Sequence, residues 1–401
     1  MGSDPIIGQP TGGDLMQLSS DDLTMFFEPA HAELAERLRA AMPALEAVEA
    51  PGAYATETER DRAAARALGD AGLFDLVVPG AGAVLDTRAL CLAREMLGYV
   101  SPRADSIFAV QGLGTHSLVL AGSPDQRAEL AGFARGAGVA AFALTEPEAG
   151  SDVAAIATRA TPTPDGYRLD GDKLFISNLG IADHATVVAT TDPALGGAGL
   201  TAFWVPLDTA GVTVKPMTAT ASHPIGALEL RGATVPASAR IGAVGQGMKL
   251  ALQTLDAFRV SVGAAAVGMA RRAFDEALGF VAARKQFGKT LAEQPLIQAH
   301  LADMVVDLDS ARLLVLRAAH KKDTTGARVT TEVSIAKLGA TEAASRVIDR
   351  AVQLFGGRGV MAGAVVEHLY RAIRPLRIYE GTSEIQRTII GRALAQGASK
   401  P

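Results

Sequence analysis

The chain has 401 residues, 48% hydrophobic and 20% charged, a globular composition that argues against an intrinsically disordered chain or a charge-rich coiled coil. At roughly 150 residues per domain there is room for two or three domains. Lys plus Arg is 38 and Asp plus Glu is 43, a formal net charge of −5 with no electrostatic footprint for nucleic acid. The single cysteine, Cys91, excludes an internal disulfide and a Cys-based zinc or iron–sulfur centre, and suits a reducing compartment.

Met1 to Gly13 is polar and rich in Gly and Pro, without a basic n-region or an apolar h-region, so residues 1–19 are expected to form a disordered lead-in to a cytoplasmic protein. No run of about 18 uninterrupted apolar residues predicts a membrane span. From residue 20 to 137 apolar residues recur at helical spacing, as in Leu34, Leu38, Met42 and Leu45 and in Leu90, Ala93, Met96 and Leu97. This predicts an N-terminal helical domain, broken by loops at Pro51-Gly52 and Pro79-Gly80-Ala81-Gly82, with a further helix start at Gly122-Ser123-Pro124.

Near Gly138 the period changes. A short apolar run at Ala140 to Leu144 is followed by Ala157 to Thr163 and Tyr167 to Ser177, which flank the hairpin signal Pro164-Asp165-Gly166. Val187 to Thr190, Thr201 to Pro206, Val212 to Pro216 and Ala227 to Leu230 continue the series, predicting a central antiparallel β domain, barrel or sandwich, over 138–247. After Gly245-Gln246-Gly247 the helical period returns at Met248 to Lys285, Gln294 to Lys321, Thr331 to Leu354 and Ser383 to Gln396, a C-terminal four-helix bundle over 248–401. The class is α+β multidomain. Helical, then β, then helical order disfavours a Rossmann domain, and the glycine cluster Gly356-Gly357-Arg358-Gly359 follows a helix rather than a strand.

Four segments can carry chemistry. Ala143 to Asp152 (ALTEPEAGSD) puts hydroxyls, carboxylates and a Pro/Gly bend just past a strand, either a ligand-facing loop or a solvated turn. At Lys173 to Asn178, strand alternation puts Phe175 and Ser177 on one face, although a half-buried strand end explains the pair equally well. Arg284 to Gly288 closes a long helix, where Arg284 suits a phosphate or the helix C-terminus and Gly288 suits a cap. In Ile378 to Arg387, Ser383 and Gln386 have capping-box spacing, which leaves Glu380 in the preceding loop, while Arg371, Arg374 and Arg377 form a basic face upstream.

In this order and spacing, ALTEPEAGSD, FISN, RKQFGK, QLFGG and IYEGTSEIQR together resemble the acyl-CoA dehydrogenases, over about Asp21 to Leu394. The resemblance implies that family's three-domain fold, FAD held between the β domain and the bundle, and a homotetramer built as a dimer of dimers. It implies cofactor contacts at Phe142, Leu144, Thr145, Ser151, Phe175, Ser177, Gln353, Gly356, Gly357, Thr382 and Ser383, with Ser177 near the flavin N5 and Ser151 also near the pantetheine arm. Arg284 and Phe287, with Gln353, Gly356 and Gly357, are similar to residues that reach the FAD pyrophosphate and adenosine of a neighbouring subunit. Glu380 matches the base that takes the α-proton of an acyl-CoA while the flavin takes the β-hydride, giving a trans-2-enoyl-CoA. Asp256 and Arg259 resemble the pair that orients the base loop and Tyr379, and Gly381 falls among the substrate contacts.

The chemistry is coherent, because no side chain accepts a hydride and a flavin does, while the protein supplies orientation. Desolvation by substrate raises a carboxylate pKa and a helix N-terminus opposes that shift, so Glu380 could approach the operating pH. Relatives that take their base from the first bundle helix carry it just before an arginine; here that residue is Phe258. The resemblance further implies fatty acid metabolism and an electron transfer flavoprotein partner, with an acyl carrier protein substrate or a flavin oxidase or monooxygenase as alternatives. The chain departs from the family's usual pattern in the shortened loop after Pro79, at Ala372 and Pro295, and at Val360.

Overall fold

The computed structural model describes residues 23–80, 83–326 and 329–398; the lead-in expected over residues 1–19 and the Ala81-Gly82 half of the early loop lie outside them. The chain divides into two compact units interleaved in sequence. A sheet unit takes residues 43–86 and 103–258, and a helical unit takes the residues up to 42, 87–102 and those from 259 onward.

In the sheet unit, helices α2 (Glu57–Asp70), α4 (Pro102–Ala121) and α5 (Pro124–Ala134) accompany strands β1 (Ala140–Ala143), β2 (Arg159–Thr163), β3 (Gly166–Ser177), β4 (His184–Thr190), β5 (Leu200–Pro206), β6 (Val212–Pro216), β7 (Ile225–Pro236) and β8 (Arg240–Ile241). The order is β6-β7-β3-β2-β4-β5-β8, with β1 added to β4. Pairing is antiparallel except where β4 meets β1 and β2, which run parallel to it. The hairpin expected at Pro164-Asp165-Gly166 closes with Thr163 opposite Gly166. Ser123 caps α5 in a capping box with Gln126, and Pro124 takes the first turn, where its missing N–H costs nothing. Helix α4 is tied to the sheet by buried Gln111, which donates to the Phe133 and Gly138 carbonyls and accepts from the Ala140 N–H. The core is the inner face of the strands, Leu169, Val187, Phe203, Val205, Leu228 and Leu230 among them.

In the helical unit, α3 (Thr87–Val100) joins α7 (Pro295–Thr325), α8 (Thr330–Phe355), α9 (Val365–Ile373) and α10 (Ser383–Ala398). Helix α6 (Gly247–Ala283) crosses the unit boundary after Phe258, and α1 (Pro29–Val48) crosses it at Pro43. Every residue of α3 is buried, and its charges are matched within the unit: Glu95 pairs with Arg312, Arg88 with Asp323, and Arg94 donates to Ser261. Gly98 and Gly268 let α3 and α6 touch backbone to backbone; a Cβ on Gly98 would lie 2.3 Å from the Ala265 carbonyl oxygen, and one on Gly268 2.0 Å from that of Glu95. Helix α6 has the length and mean hydropathy, 1.2, of a membrane-spanning helix, yet 72% of its most apolar window is buried in the fold, as befits a core helix. The four long C-terminal helices stand where the periodicity puts them. Helix α9, nine residues long and shorter than the others, is an addition to that expectation.

Candidate active site

Among the described residues only four other than glycine have positive φ: Phe175 (59°), Asn178 (67°), Phe287 (54°) and Glu380 (52°). All four fall in three of the segments that the sequence marks for chemistry. Left-handed backbone is costly for a side chain with a Cβ, about 1–3 kcal/mol, and persists where surrounding contacts over-determine it.

In the sheet unit the strained pair sits at the end of β3. The register of β3 on β7 slips between Lys173 and Ile176, so that Leu174 and Phe175 form a bulge. Alternation is interrupted between Lys173 and Ile176, which are both buried, and not between Phe175 and Ser177: Phe175 is turned out with 58% of its surface exposed, Ile176 is buried and Ser177 is half-buried. The bulge is anchored to the loop after β1, because the Leu174 N–H donates to the Thr145 carbonyl at 2.9 Å. Thr145 and Phe175 are thus brought together. Phe142 and Leu144 pack in a small apolar cluster with Val153, Met248 and Leu255, and Ser151 is exposed beyond them. Asn178 is no simple turn residue: it is buried and donates to the Ala140 carbonyl at 3.0 Å.

A buried ion pair braces this arrangement. Lys173, with 0% exposure, donates to Glu146 at 2.7 Å and to the Leu144 carbonyl at 3.1 Å, and Glu146 also accepts from the Ala157 and Thr158 N–H groups at 2.7 and 3.0 Å. Burial pushes the Lys173 ammonium down to about 8 against the pull of Glu146. Burial works to raise Glu146, but the Lys173 charge and its hydrogen bonds hold that carboxyl below the usual range.

In the helical unit Glu380 stands half-buried in the loop before α10. Its carbonyl accepts from Arg259 Nε at 3.2 Å and from Gln386 Nε2 at 3.4 Å; the next carbonyl, of Gly381, accepts from Lys337 Nζ and Gln386 Nε2, each at 2.9 Å. The expected Ser383–Gln386 capping box is not formed. Thr382 is the cap, its hydroxyl accepting from the Ile385 N–H at 3.3 Å, while the buried Ser383 hydroxyl donates to Glu342 at 2.7 Å and the Gln386 amide is occupied with the Glu380 loop. Burial favours a raised Glu342 pKa, yet the hydrogen bonds from Ser383 and Arg377 hold it below the usual range. Tyr379 is partly exposed, and Asp256 is half-buried on α6, three residues before Arg259. The basic face upstream is largely neutralised, Arg371 by Glu367 and Arg377 by Glu342.

The RKQFGK segment also differs from a helix cap. Helix α6 stops at Ala283, and strands β9 (Lys285–Gln286) and β10 (Lys289–Thr290) form a two-residue hairpin with Phe287 and Gly288 at its turn. Both turn residues have positive φ, the signature of a type I′ turn, and Gly288 serves the turn rather than α6. The turn lifts Phe287 to 94% exposure beside exposed Arg284. Gln353 is exposed in the last turn of α8, and Gly356 and Gly357 have nothing within 4 Å of where a Cβ would lie.

Sequence reasoning missed Lys173, Glu146, Lys337, Glu342 and Gln386. Lys337 carried a signal: it falls in the apolar stripe of α8 among Val333, Ala340 and Ala344, where a charge demands a partner.

Family models for the acyl-CoA dehydrogenase N-terminal, middle and C-terminal domains match residues 28–137, 141–233 and 245–395. The chain belongs to the acyl-CoA dehydrogenase family. It is 38% identical over 336 residues to a probable acyl-CoA dehydrogenase of Mycobacterium tuberculosis, FadE25, covering 82% of this chain and 86% of that one. Butyryl-CoA dehydrogenase from Megasphaera elsdenii superposes with a TM-score of 0.83 at 33% identity, covering 90% of this chain and 98% of that one. A glutaryl-CoA dehydrogenase from Mycobacterium smegmatis in complex with FADH2 does so at 0.83 and 28% identity, covering 94% and 97%.

This acyl-CoA dehydrogenase is an FAD-dependent oxidoreductase. Its residues fit the cofactor. The exposed Phe175 ring, with Thr145 and Ser177 nearby, suits a flat aromatic ring system edged with polar atoms, and the open backbone of Gly356 and Gly357 suits close approach by a ligand.

Proposed function

We propose that this acyl-CoA dehydrogenase converts an acyl-CoA to the trans-2-enoyl-CoA, with Glu380 as the base that removes the α-proton. One observation carries the assignment. Glu380 is held at φ 52° in a loop whose two successive carbonyls are bound by Arg259, Lys337 and Gln386, so the backbone is fixed while the carboxylate is carried on a loop. The first turn of α10 follows at once, and its positive end favours the ionised carboxylate. Phe258, at the alternative base position, accepts no proton. Bound FAD supplies the acceptor for the β-hydride.

Thr145, Phe175 and Ser177 would hold the flavin, with Phe142 and Leu144 packed behind them and Ser151 toward the pantetheine. Thr382 would contact the cofactor, Ser383 supports its loop through Glu342, and Arg284, Phe287, Gln353, Gly356 and Gly357 would reach the FAD of a neighbouring copy in a homotetramer. Tyr379, Gly381, Asp256 and Arg259 shape the substrate side. Electrons pass to an electron transfer flavoprotein, as the family resemblance of the sequence implies, and the setting is cytoplasmic.

The test is anaerobic titration of the purified enzyme with a series of acyl-CoA thioesters, following loss of the oxidised flavin band. Bleaching by one chain type, abolished in Glu380→Gln with flavin content unchanged, is expected. Bleaching that survives in Glu380→Gln removes the base assignment. Flavin that no acyl-CoA reduces moves the substrate to a carrier-protein thioester.

A further inference from the structure

Two lysines of the described chain have 0% exposure, and they are spent differently. Lys173 is buried against a carboxylate. Lys337, on α8, directs its Nζ to the carbonyl of Gly381, the residue after Glu380. Burying an ammonium costs several kcal/mol, and a backbone carbonyl alone returns little of that. The charges that face Lys337 are Glu380, Glu342 and Glu384, which favour its ammonium form, and Arg259, which opposes it; Glu380 is the largest favourable one. A lysine in this position does little for packing that a methionine would not do. What it adds is a donor to the base loop and a positive charge felt by Glu380.

We propose that Lys337 is a positioning residue for proton abstraction: its ammonium locks the Gly381 carbonyl, holding Glu380 in its left-handed conformation, and its charge keeps the Glu380 carboxylate ionised as the acyl chain displaces water. The inference rests on Glu380 being the base. Arg259 and Gln386 secure the carbonyl of Glu380, and Lys337 and Gln386 secure that of Gly381, so the two peptide planes following the base are fixed from three elements, α6, α8 and α10. Removing the Lys337 donor leaves the Gly381 carbonyl held by Gln386 alone and the Glu380 carbonyl held as before. Burial pushes Lys337 down to about 8, with Glu380 pulling against it and Arg259 adding to it, so the charge is withdrawn as the pH rises past that point.

The experiment compares Lys337→Gln, Lys337→Met and Lys337→Arg in the flavin-loaded enzyme. Stopped-flow reduction of the flavin by a saturating acyl-CoA is followed across pH, and the infrared carboxyl band assigned by its loss in Glu380→Gln is titrated in parallel. Lys337→Gln keeps a donor without the charge and is expected to raise the acid limb of the rate profile, and the titration of the Glu380 band, by about one pH unit. Lys337→Met is expected to show the same shift and a plateau slowed by about tenfold or more, from looser orientation of the base. Lys337→Arg is expected to hold the acid limb and abolish the alkaline limb near pH 8, because guanidinium does not titrate there. Flavin absorbance and the thermal midpoint identify a variant that has lost its fold; the Arg variant, which keeps the charge, then decides the matter through its alkaline limb. Profiles and infrared titrations that superimpose on those of the parent overturn the proposal. Full reduction in Glu380→Gln removes the base assignment instead, a result that no Lys337 variant produces.

Discussion

Removing the carboxylate of the Lys173–Glu146 pair gives a stability change whose size follows from its hydrogen bonds. Glu146→Ala deletes the partner of an ammonium with no exposed surface and leaves the Ala157 and Thr158 N–H groups without their acceptor. Each abandoned buried donor costs about 1–3 kcal/mol. Lys173, already lowered to about 8, is driven lower and sheds its proton at neutral pH, which adds about 1.4 kcal/mol per pH unit. The total expected is about 3–5 kcal/mol, the usual range for breaking one side of a buried pair. Trp204, the single tryptophan, lies buried in β5 of the same sheet, so urea unfolding followed by its emission reports this unit directly. The folded pKa of Lys173 lies below its unfolded value, so the unfolded chain binds more protons between the two and stability rises with pH in that window. In Glu146→Ala the window opens lower than in the parent, so the gap between the two proteins should narrow as the pH is raised toward about 8 and stay constant above it. Adding Lys173→Met should recover part of the loss, with a coupling energy of about 2 kcal/mol. A single-variant cost below about 1 kcal/mol, or strict additivity, would refute the bracing role.

Phe287→Asn places a residue tolerant of left-handed backbone in the type I′ turn; it should raise the thermal midpoint by a few degrees, for about 1 kcal/mol or less, and lower FAD retention on dilution. Unchanged FAD retention would show that the exposed ring is not a cofactor contact. Glu342→Gln removes the negative charge that Ser383 and Arg377 share and leaves a single neutral acceptor oxygen. Because the folded pKa of Glu342 is depressed, its stabilisation is present above the unfolded value and lost as the pH falls through the folded one, so the variant should be weaker at neutral pH and converge on the parent in acid. A gap that stays constant from pH 7 to pH 3 in thermal scans would contradict that linkage.

The elements visible in the sequence are those whose signals are local. The Pro164-Asp165-Gly166 turn and the Ser123-Pro124 helix start are each decided within a few residues, and both form as expected. The bulge at Phe175 depends on the register of β3 against β7, some fifty residues on, so the sequence of β3 alone does not reveal it. Ser383 and Gln386 have the right spacing for a capping box, but Glu342 and the Glu380 loop claim their side chains, and tertiary partners outweigh the local motif. The β9–β10 hairpin is too short to leave a period, and in α9 only Arg371 stands out in the sequence, as the start of the Arg371, Arg374 and Arg377 spacing that runs past the helix end. Glu380 was legible through its motif. The donors that hold its loop were not, since spacing assigns a residue to a face and says nothing of which carbonyl it meets.

The interleaving of the two units constrains how the enzyme is made. Helix α3 buries every residue, yet apart from Phe26 and Glu28, which bind Arg88, its partners in the helical unit described above lie at Ser261 or later, more than 150 residues on in the chain. On a ribosome emitting about 5–20 residues per second, α3 waits for many seconds with its apolar surface uncovered. Neither unit is contiguous, so neither can close before α6 has emerged. Yield in a heterologous host should therefore respond to chaperones that shield nascent chains, and to slowing of translation between residues 100 and 259, more than to mutations that raise the stability of the finished fold.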